Sequence, residues 1–328
     1  MAIYSVLDDE RINARADFFA SLGSRIESSW TSSVGSLITS ASETENYNWI
    51  GTAPQLAAWE GEALLQELPN YSATLTNVEY LSGLKVDKAD IRRDKTGQIR
   101  TRIANLGERA GKHWDTLVSD LILNGETAAS GSGIAGQAFD GQAFFDTDHS
   151  YTGSAYTTNQ DNDLVAGTLA TLNVATATAP TSDEMADIIV GMIGTLQTFK
   201  DDQGEPINDD ASSFLVMSGT AAINAAVVAA IGLQTLAQGA SNPLAGYAGT
   251  GGLNLTAVLN PRLSAQTTSV YLFRTDGATR PFILQDEVPV NVYENDPGPT
   301  TRHLEVTAQA TRAAGYGLWQ HAVLGVMS

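Results

Sequence analysis

The 328-residue chain contains no cysteine and no long apolar run. Without cysteine there is no disulfide framework, thiol catalysis, thiolate metal site or iron–sulfur cluster. A helix that spans a bilayer needs about 18 or more consecutive apolar residues, and no such stretch occurs. The N-terminus lacks the basic-then-apolar order of a secretory signal. We therefore expect a protein kept in a cytoplasm, or in an assembly formed there.

Basic residues are scarce: 18 Lys and Arg stand against 37 Asp and Glu, for a net charge of −19. This balance argues against non-specific nucleic-acid binding, which recruits positive surface. Nine of the 18 cations lie between Lys85 and Lys112 with four acids, so this basic window carries +5 and the remainder −24. It contains no Phe, Tyr or Trp on which bases could stack.

Two interpretations of the basic window remain open from charge alone. It is either a solvated charged loop or a surface that binds the acidic surface of another copy. Under the second interpretation, the candidate inter-subunit residues are Lys85, Lys88, Arg92, Arg93, Lys95 and Arg100.

The first 97 residues have little capacity to build a core. Residues 1–48 are polar and predict an extended arm with one short helix. Alternating apolar residues over 71–95 predict two strands, and the composition of 94–97 predicts a turn. Such a hairpin is too poor in large apolar residues to be stable alone, so we expect it to lie on another surface.

Helical periodicity begins after this hairpin. Apolar spacings of three and four predict one helix of about 25 residues over 99–124, although Gly107 and Gly111 each cost about 1 kcal/mol within it. A second helix is predicted after Pro180, where Thr181 and Glu184 have the spacing of a capping box.

Strand-like patterns dominate the last third of the chain. A third helix is predicted at Ala221–Ile231. The predicted strands are Phe214–Met217, 253–259, 269–275, 281–293 and 303–311. Residues 125–180 are rich in Gly, Ser and Thr and predict long loops.

No stretch supports catalysis or a cofactor. Gly131–Gly136 matches the dinucleotide fingerprint in letters, but a helix ends before it where a strand is required. The acids and His149 of residues 139–150 (FDGQAFFDTDHS) do not have EF-hand spacing and predict a packed turn whose acids accept backbone N–H groups. Nucleophile-elbow and zinc-protease motifs are absent, and His113 is expected to be structural. We predict no catalytic, cofactor-binding or metal-binding residue.

Four stretches together resemble one family, the Mu-like bacteriophage major head subunits. They are residues 45–62 (ENYNWIGTAPQLAAWEGE), 90–125 (DIRRDKTGQIRTRIANLGERAGKHWDTLVSDLILNG), 139–150 (FDGQAFFDTDHS) and 314–325 (AGYGLWQHAVLG). Each stretch is moderately specific, and their order and spacing make coincidence improbable.

The resemblance implies an α+β protein with the tailed-phage major capsid fold of the Hong Kong 97 type. That fold has an N-arm, an extended β-hairpin loop, a long spine helix, and peripheral and axial domains. The implied divisions are an arm at 1–48, an arm-to-loop connection at 49–67, the extended loop at 68–97, spine helix and peripheral domain at 98–180, axial domain at 181–290, and a C-terminal return to the peripheral domain at 291–328.

The implied function is that of a non-enzymatic major capsid protein. Copies would assemble into hexamers and pentamers of an icosahedral bacteriophage head, a shell that encloses double-stranded DNA without reading its sequence. The implied partners are other copies, a separate scaffolding protein, a portal and a possible decoration protein, with no membrane. The virion would assemble in the host bacterial cytoplasm. Two alternatives remain open: the shell of an encapsulin-like nanocompartment and, more distantly, an unrecognised hydrolase.

Overall fold

The computed structural model describes residues 2–50, 70–93, 97–128, 131, 136–151, 156–235, 241–242, 244–246, 252–295 and 301–328. The helices are α1 (Ala2–Glu27), α2 (Thr31–Val34), α3 (Lys88–Arg93), α4 (Gln98–Gly111), α5 (His113–Leu123), α6 (Ser182–Thr198) and α7 (Ala221–Gly232). The strands are β1 (Gly35–Thr39), β2 (Thr44–Ile50), β3 (Asn70–Thr76), β4 (Val78–Asp87), β5 (Asp163–Val165), β6 (Ser213–Ser218), β7 (Asn254–Leu259), β8 (Ser269–Arg274), β9 (Phe282–Asn295), β10 (His303–Tyr316) and β11 (Ala322–Val326). Among the helices in these ranges, none has the length and apolar character needed to cross a membrane.

The strands form three sheets. One has the order β1-β9-β10-β4, with β1 parallel to β9 and antiparallel pairing elsewhere. A five-stranded mixed sheet has the order β5-β11-β8-β6-β7, and β2 pairs with β3 alone as a two-stranded ribbon. Helices and strands share a common core, as the α+β expectation requires.

Two hydrophobic clusters hold these layers together. The larger lies around the five-stranded sheet and buries the apolar stripe of α6, including Met185, Ile189 and Met192. The smaller one joins α1 and α4 to the four-stranded sheet through Phe18, Ile103 and other residues. Burial of these faces is the main favourable term for the fold.

The predicted elements of the C-terminal half are confirmed. Helix α6 begins with the expected capping box between Thr181 and Glu184, and α7 occupies the third predicted helix. Strands β6 to β10 coincide with the predicted strand segments within a few residues at each end.

The predicted 25-residue helix is instead two consecutive helices, α4 and α5. Its outer limits are confirmed, but its continuity is wrong, because Lys112 has ψ −2° and interrupts the helix. Gly111, which precedes the break, contributes little helix propensity.

The N-terminal residues are more helical than expected. Where one short helix was predicted, α1 runs for 26 residues and packs along α4. The contact explains two unfavourable glycines: a Cβ at Gly107 would lie 2.5 Å from the carbonyl oxygen of Phe18, and one at Gly111 would lie 3.0 Å from the Cβ of Arg25. The glycines allow the two helix backbones to approach closely.

The hairpin predicted for residues 71–95 is wrong in its strand partners. Strand β3 pairs antiparallel with β2, from Thr44 opposite Thr76 to Ile50 opposite Asn70. Strand β4 pairs with β10 instead. The chain changes partner at Asn77, a buried residue whose Nδ2 donates to Ser42 O at 3.0 Å. Alternation identifies a strand but does not identify its neighbour.

The two-stranded ribbon consists of β2 and β3, and residues 51–69 between them lie outside the described residues. The extended loop implied at 68–97 includes β3 but not β2, so it covers only one of the two strands of the ribbon. The predicted turn lies largely outside the described residues, apart from Gly97, which has φ 68° and precedes α4.

Candidate functional site

The candidate functional site is the surface formed by the ribbon and the basic window. The ribbon is anchored at its base on the four-stranded sheet. The Tyr47 hydroxyl donates to Gln285 Oε1 at 2.8 Å, and Leu75 is buried against Gly315, where a Cβ would collide with it. Polar side chains bridge the strands on the exposed side, where Thr74 Oγ1 donates to Asn46 Oδ1 at 2.7 Å. The ribbon thus has a fixed base and a hydrophilic face.

The ribbon segment, residues 44–76, is acidic in sequence. No Lys or Arg occurs between Arg25 and Lys85, whereas residues 44–76 contain Glu45, Glu60, Glu62 and Glu67. The basic window begins in β4, after the ribbon segment has ended. Acidic and basic residues are therefore separated along the chain.

Two of the six candidate cations have acidic partners within the chain. Lys85 lies opposite Glu305 on β10, with its Nζ 3.9 Å from Glu305 Oε1, and remains 60% exposed. Arg100 of α4 contacts Asp17 of α1 through two nitrogens, at 2.7 and 2.8 Å from one carboxylate oxygen. These pairs support both the sheet and the α1–α4 contact.

The other four candidates lie around α3. Lys88 begins this helix, and its backbone N–H donates to Arg302 O at 2.8 Å. Arg92 and Arg93 end it, with their side chains outside the described part, and Lys95 lies outside the described residues entirely. The grouping of the six cations into one site therefore stays a prediction.

A buried polar contact between α1 and α5 was missed from the sequence. Asp115 is fully buried and accepts hydrogen bonds from Arg25 and from the Ser29 hydroxyl. The signal in the sequence was the position of Asp115 among the apolar residues of the helical stripe. A carboxylate buried there requires hydrogen-bond partners, which predicts a polar contact.

Residues 139–150 form the packed turn that was predicted. Asp140 and Asp146 accept backbone N–H groups from Gln142 at 3.3 Å and Thr147 at 2.7 Å. The His149 ring stacks on Trp319 at 4.0 Å, and its Nδ1 lies 2.6 Å from Asp140 Oδ2. Both side chains of this pair are buried, so they contribute to the core and expose no reactive group.

His113 has the surroundings of a structural histidine. Its ring contacts that of Tyr80 at 4.3 Å. Burial, assisted by the charge of Arg312, lowers the pKa of His113 to about 4. The ring is therefore neutral near pH 7.

Acidic side chains crowd together near β5. Burial, followed by the charges of Glu126 and Asp161, raises the pKa of Asp163 to about 6. The hydrogen bond and charge of Asp146 raise the pKa of Asp148. Within the described residues, no group of three or more His, Asp and Glu side chains is arranged to hold a metal ion. This cluster is instead a source of repulsion within the subunit.

Comparison with known proteins connects this architecture to phage heads. The family described as Mu-like prophage major head subunit gpT matches residues 11–173. The Mu-like prophage FluMu major head subunit of Haemophilus influenzae is 29% identical over 127 residues, covering 39% of each chain. The major capsid protein of Escherichia phage Mu is 24% identical over 132 residues, covering 38% of this chain and 41% of the relative. The matched part therefore spans about two fifths of either relative.

Solved structures share the fold over nearly the whole chain. The procapsid of bacteriophage JBD30 covers 100% of this chain and 76% of its own, with a TM-score of 0.51 and 18% identity. The capsid of an empty GTA particle matches 91% of this chain and 89% of its own, with a TM-score of 0.54 and 14% identity. A virus-like particle from Pyrococcus furiosus matches 94% of this chain and 98% of its own, with a TM-score of 0.50 and 8% identity. The expected capsid fold of the Hong Kong 97 type is thereby confirmed.

Proposed function

We propose that this chain, a member of the Mu-like prophage major head subunit family through residues 11–173, is a major capsid protein that builds the wall of a phage head. The observation that carries the proposal is this family match combined with a capsid fold over nearly the whole chain. Family and fold are those of structural shell proteins and not of enzymes, which removes the hydrolase alternative.

The ribbon supplies the physical reason for assembly. Two strands with a hydrophilic face cannot bury enough apolar surface to be stable alone. Within the described residues, β2 and β3 pair only with each other, which leaves an open backbone edge on each. A neighbouring subunit can cover these groups and stabilise the ribbon.

Charge distribution favours contacts between copies. The basic window carries +5 and the remaining chain −24, so the window of one copy can face the acidic surface of the next. Each exposed ion pair contributes only about 0–1 kcal/mol. A closed shell repeats the contacts in every subunit, and repetition makes weak contacts sufficient.

The finer features of the proposal follow from the family resemblance. Copies form hexamers and pentamers around double-stranded DNA, without sequence-specific contacts. A separate scaffolding protein, a portal and a possible decoration protein assist, and the virion assembles in the host cytoplasm. Of the arm implied at 1–48, the part before β2, residues 1–43, acts as the arm; 98–180 act as spine and peripheral domain, 181–290 as axial domain and 291–328 as the peripheral return. The extended loop is reassigned to the β2–β3 ribbon, residues 44–76.

A nanocompartment shell is the second candidate. The virus-like particle from Pyrococcus furiosus shares the fold, so fold alone does not separate the two functions. The family match favours a phage head.

Electron microscopy of the expressed protein tests the proposal. We expect capsomer rings or hollow polyhedra, whereas a solitary monomer at all concentrations would contradict a shell function.

Replacing residues 51–69 with a short Gly-Ser turn should leave a soluble, folded subunit that forms no closed shell. Normal shells from this variant would remove the role assigned to the ribbon. Particles from an induced host that contain enzymes and no DNA would favour the nanocompartment.

A further inference from the structure

A pocket of about 220 Å³ lies between α4 and the four-stranded sheet. Apolar side chains form most of its wall: Leu106, Ala110, Val290, Ala308 and Ala310. Leu81 of β4 also lines it and is 71% exposed. The pocket is therefore an apolar recess reachable from the surface.

The strand pairing is irregular beside the recess. Gln309 lies opposite Asn291, but Thr311 lies opposite Val288, so two residues of β9 face one residue of β10. One of the two is Pro289, which has no N–H to donate and is accommodated at such bulges. The other is Val290, which lines the recess together with Ala310 of β10.

The two charged residues that line the recess, Arg109 and Arg312, are both cations. Arg109 of the basic window is exposed at its edge. Arg312 is only 3% exposed, lies 4.4 Å from the Trp114 ring centre and 3.4 Å from Asp286, and its Nε has no hydrogen-bond partner. No acidic residue lines the recess, so its local field favours an anion.

We propose that this recess receives an apolar side chain flanked by a carboxylate from a second copy of the chain. The apolar wall would bury the side chain, and Arg109 would contact the carboxylate. The occupant is a second copy because the chain carries −24 outside the basic window, so every copy presents the complementary charge. The inference rests on the proposed shell function and names one contact within it.

A photo-crosslinker tests the occupant directly. Benzoylphenylalanine in place of Ser82, an exposed lining residue opposite Ala308, in the full chain expressed in cells, should crosslink to another copy at an apolar residue next to Asp or Glu. Crosslinks only to other proteins, crosslinks to a copy at a site without an acid, or no crosslink at all would overturn the inference.

Substitutions in α4 provide matched controls. Arg109→Glu should lower the crosslink yield by about tenfold, the effect of losing one charge-assisted contact. Arg102→Glu makes the same charge change at an exposed position of the same helix that does not line the recess, and should change the yield less than about twofold. Equal losses would show a general charge effect and overturn the inference.

Filling the recess tests the apolar part. Ala110→Leu should abolish the crosslink while the melting temperature of the subunit stays the same or rises. An unchanged yield in this folded variant would overturn the inference. Failure of the wild type to form capsomers would count against the proposed function, whereas the crosslink itself requires no closed shell.

Discussion

Single residues carry information here when they contradict the pattern around them. Gly107 and Gly111 lower the helix propensity of a segment whose apolar periodicity is otherwise typical of a helix. Asp115 places a carboxylate among the apolar residues of the same segment. All three residues lie against α1 or the segment that follows it. The sequence displayed the anomalies, but only the packed structure supplies the neighbour that explains them.

The glycine contact gives a paired prediction. Gly107→Ala should destabilise the subunit by about 1–3 kcal/mol, because the added methyl group would collide with the Phe18 carbonyl oxygen. Gly194→Ala in α6 meets nothing within 4 Å and should stabilise by about 1 kcal/mol through helix propensity. Urea unfolding of both variants measures the difference, and equal effects would refute the close helix approach.

Asp163 gives a pH prediction. Its pKa of about 6 lies above the ordinary 3.8, so the folded state retains a proton that the unfolded state has lost. Stability contributed by this group is therefore present below about pH 4 and is lost as pH rises through 6. Asp163→Asn should raise stability at pH 7 by about 1 kcal/mol after allowing for solvent screening.

Thermal unfolding between pH 4 and 7 checks this expectation. The gain from Asp163→Asn should shrink steadily from pH 7 to a small fraction at pH 4, close to the pKa of 3.8 of this carboxyl in the unfolded state. Asp209→Asn, at an exposed acid, serves as the comparison. A gain from Asp163→Asn that does not vary with pH would rule out the carboxyl's titration as its cause.

Elements whose signals are local could be predicted, and those whose partners are distant could not. Helix α6 was recognised from its cap and stripe, both of which lie within 20 consecutive residues. Strand character over residues 71–95 was also recognised, but the interruption was expected at Leu81–Gly83, which lie within β4, and the pairing was not found. Strand β3 pairs with residues 44–50 and β4 with residues 303–312, and no local pattern encodes such pairing.

The cap of α6 is a quantitative test at this scale. The Thr181 hydroxyl accepts the Glu184 N–H at 3.3 Å, and Glu184 Oε2 accepts the Thr181 N–H at 2.8 Å. Thr181→Ala should cost about 1 kcal/mol by chemical denaturation. Thr198→Ala, in the exposed last turn, should cost less than about 0.5 kcal/mol, and a similar loss from both would contradict a capping role.

For the whole molecule, the important property is the separation of charge between a −24 body and a +5 window. Copies with net charge −19 repel one another at long range. Attraction must then come from an orientation in which the basic window of one copy faces the acidic surface of another. Salt weakens both the repulsion and this attraction, and it screens exposed charges most.

Charge reversal in α3 tests this balance. Arg92→Glu or Arg93→Glu should reduce assembly more at low salt than at high salt, measured by sedimentation of assembled particles. Arg262→Glu, an exposed cation outside the window, should have a smaller effect. Assembly that is insensitive to salt in all three variants would show that packing, not charge, governs the contact.

The sequence by itself determined the class of protein, the helices and strands with strong local periodicity, and the location of the basic window. These properties depend on composition and on residues close together in the chain. Tertiary structure alone decided that α1 packs on α4, that β3 pairs with β2, and that an apolar recess lies between α4 and the four-stranded sheet beside Arg109. Each of these joins segments far apart in sequence, and their pairing depends on shape and burial that no short stretch of residues contains.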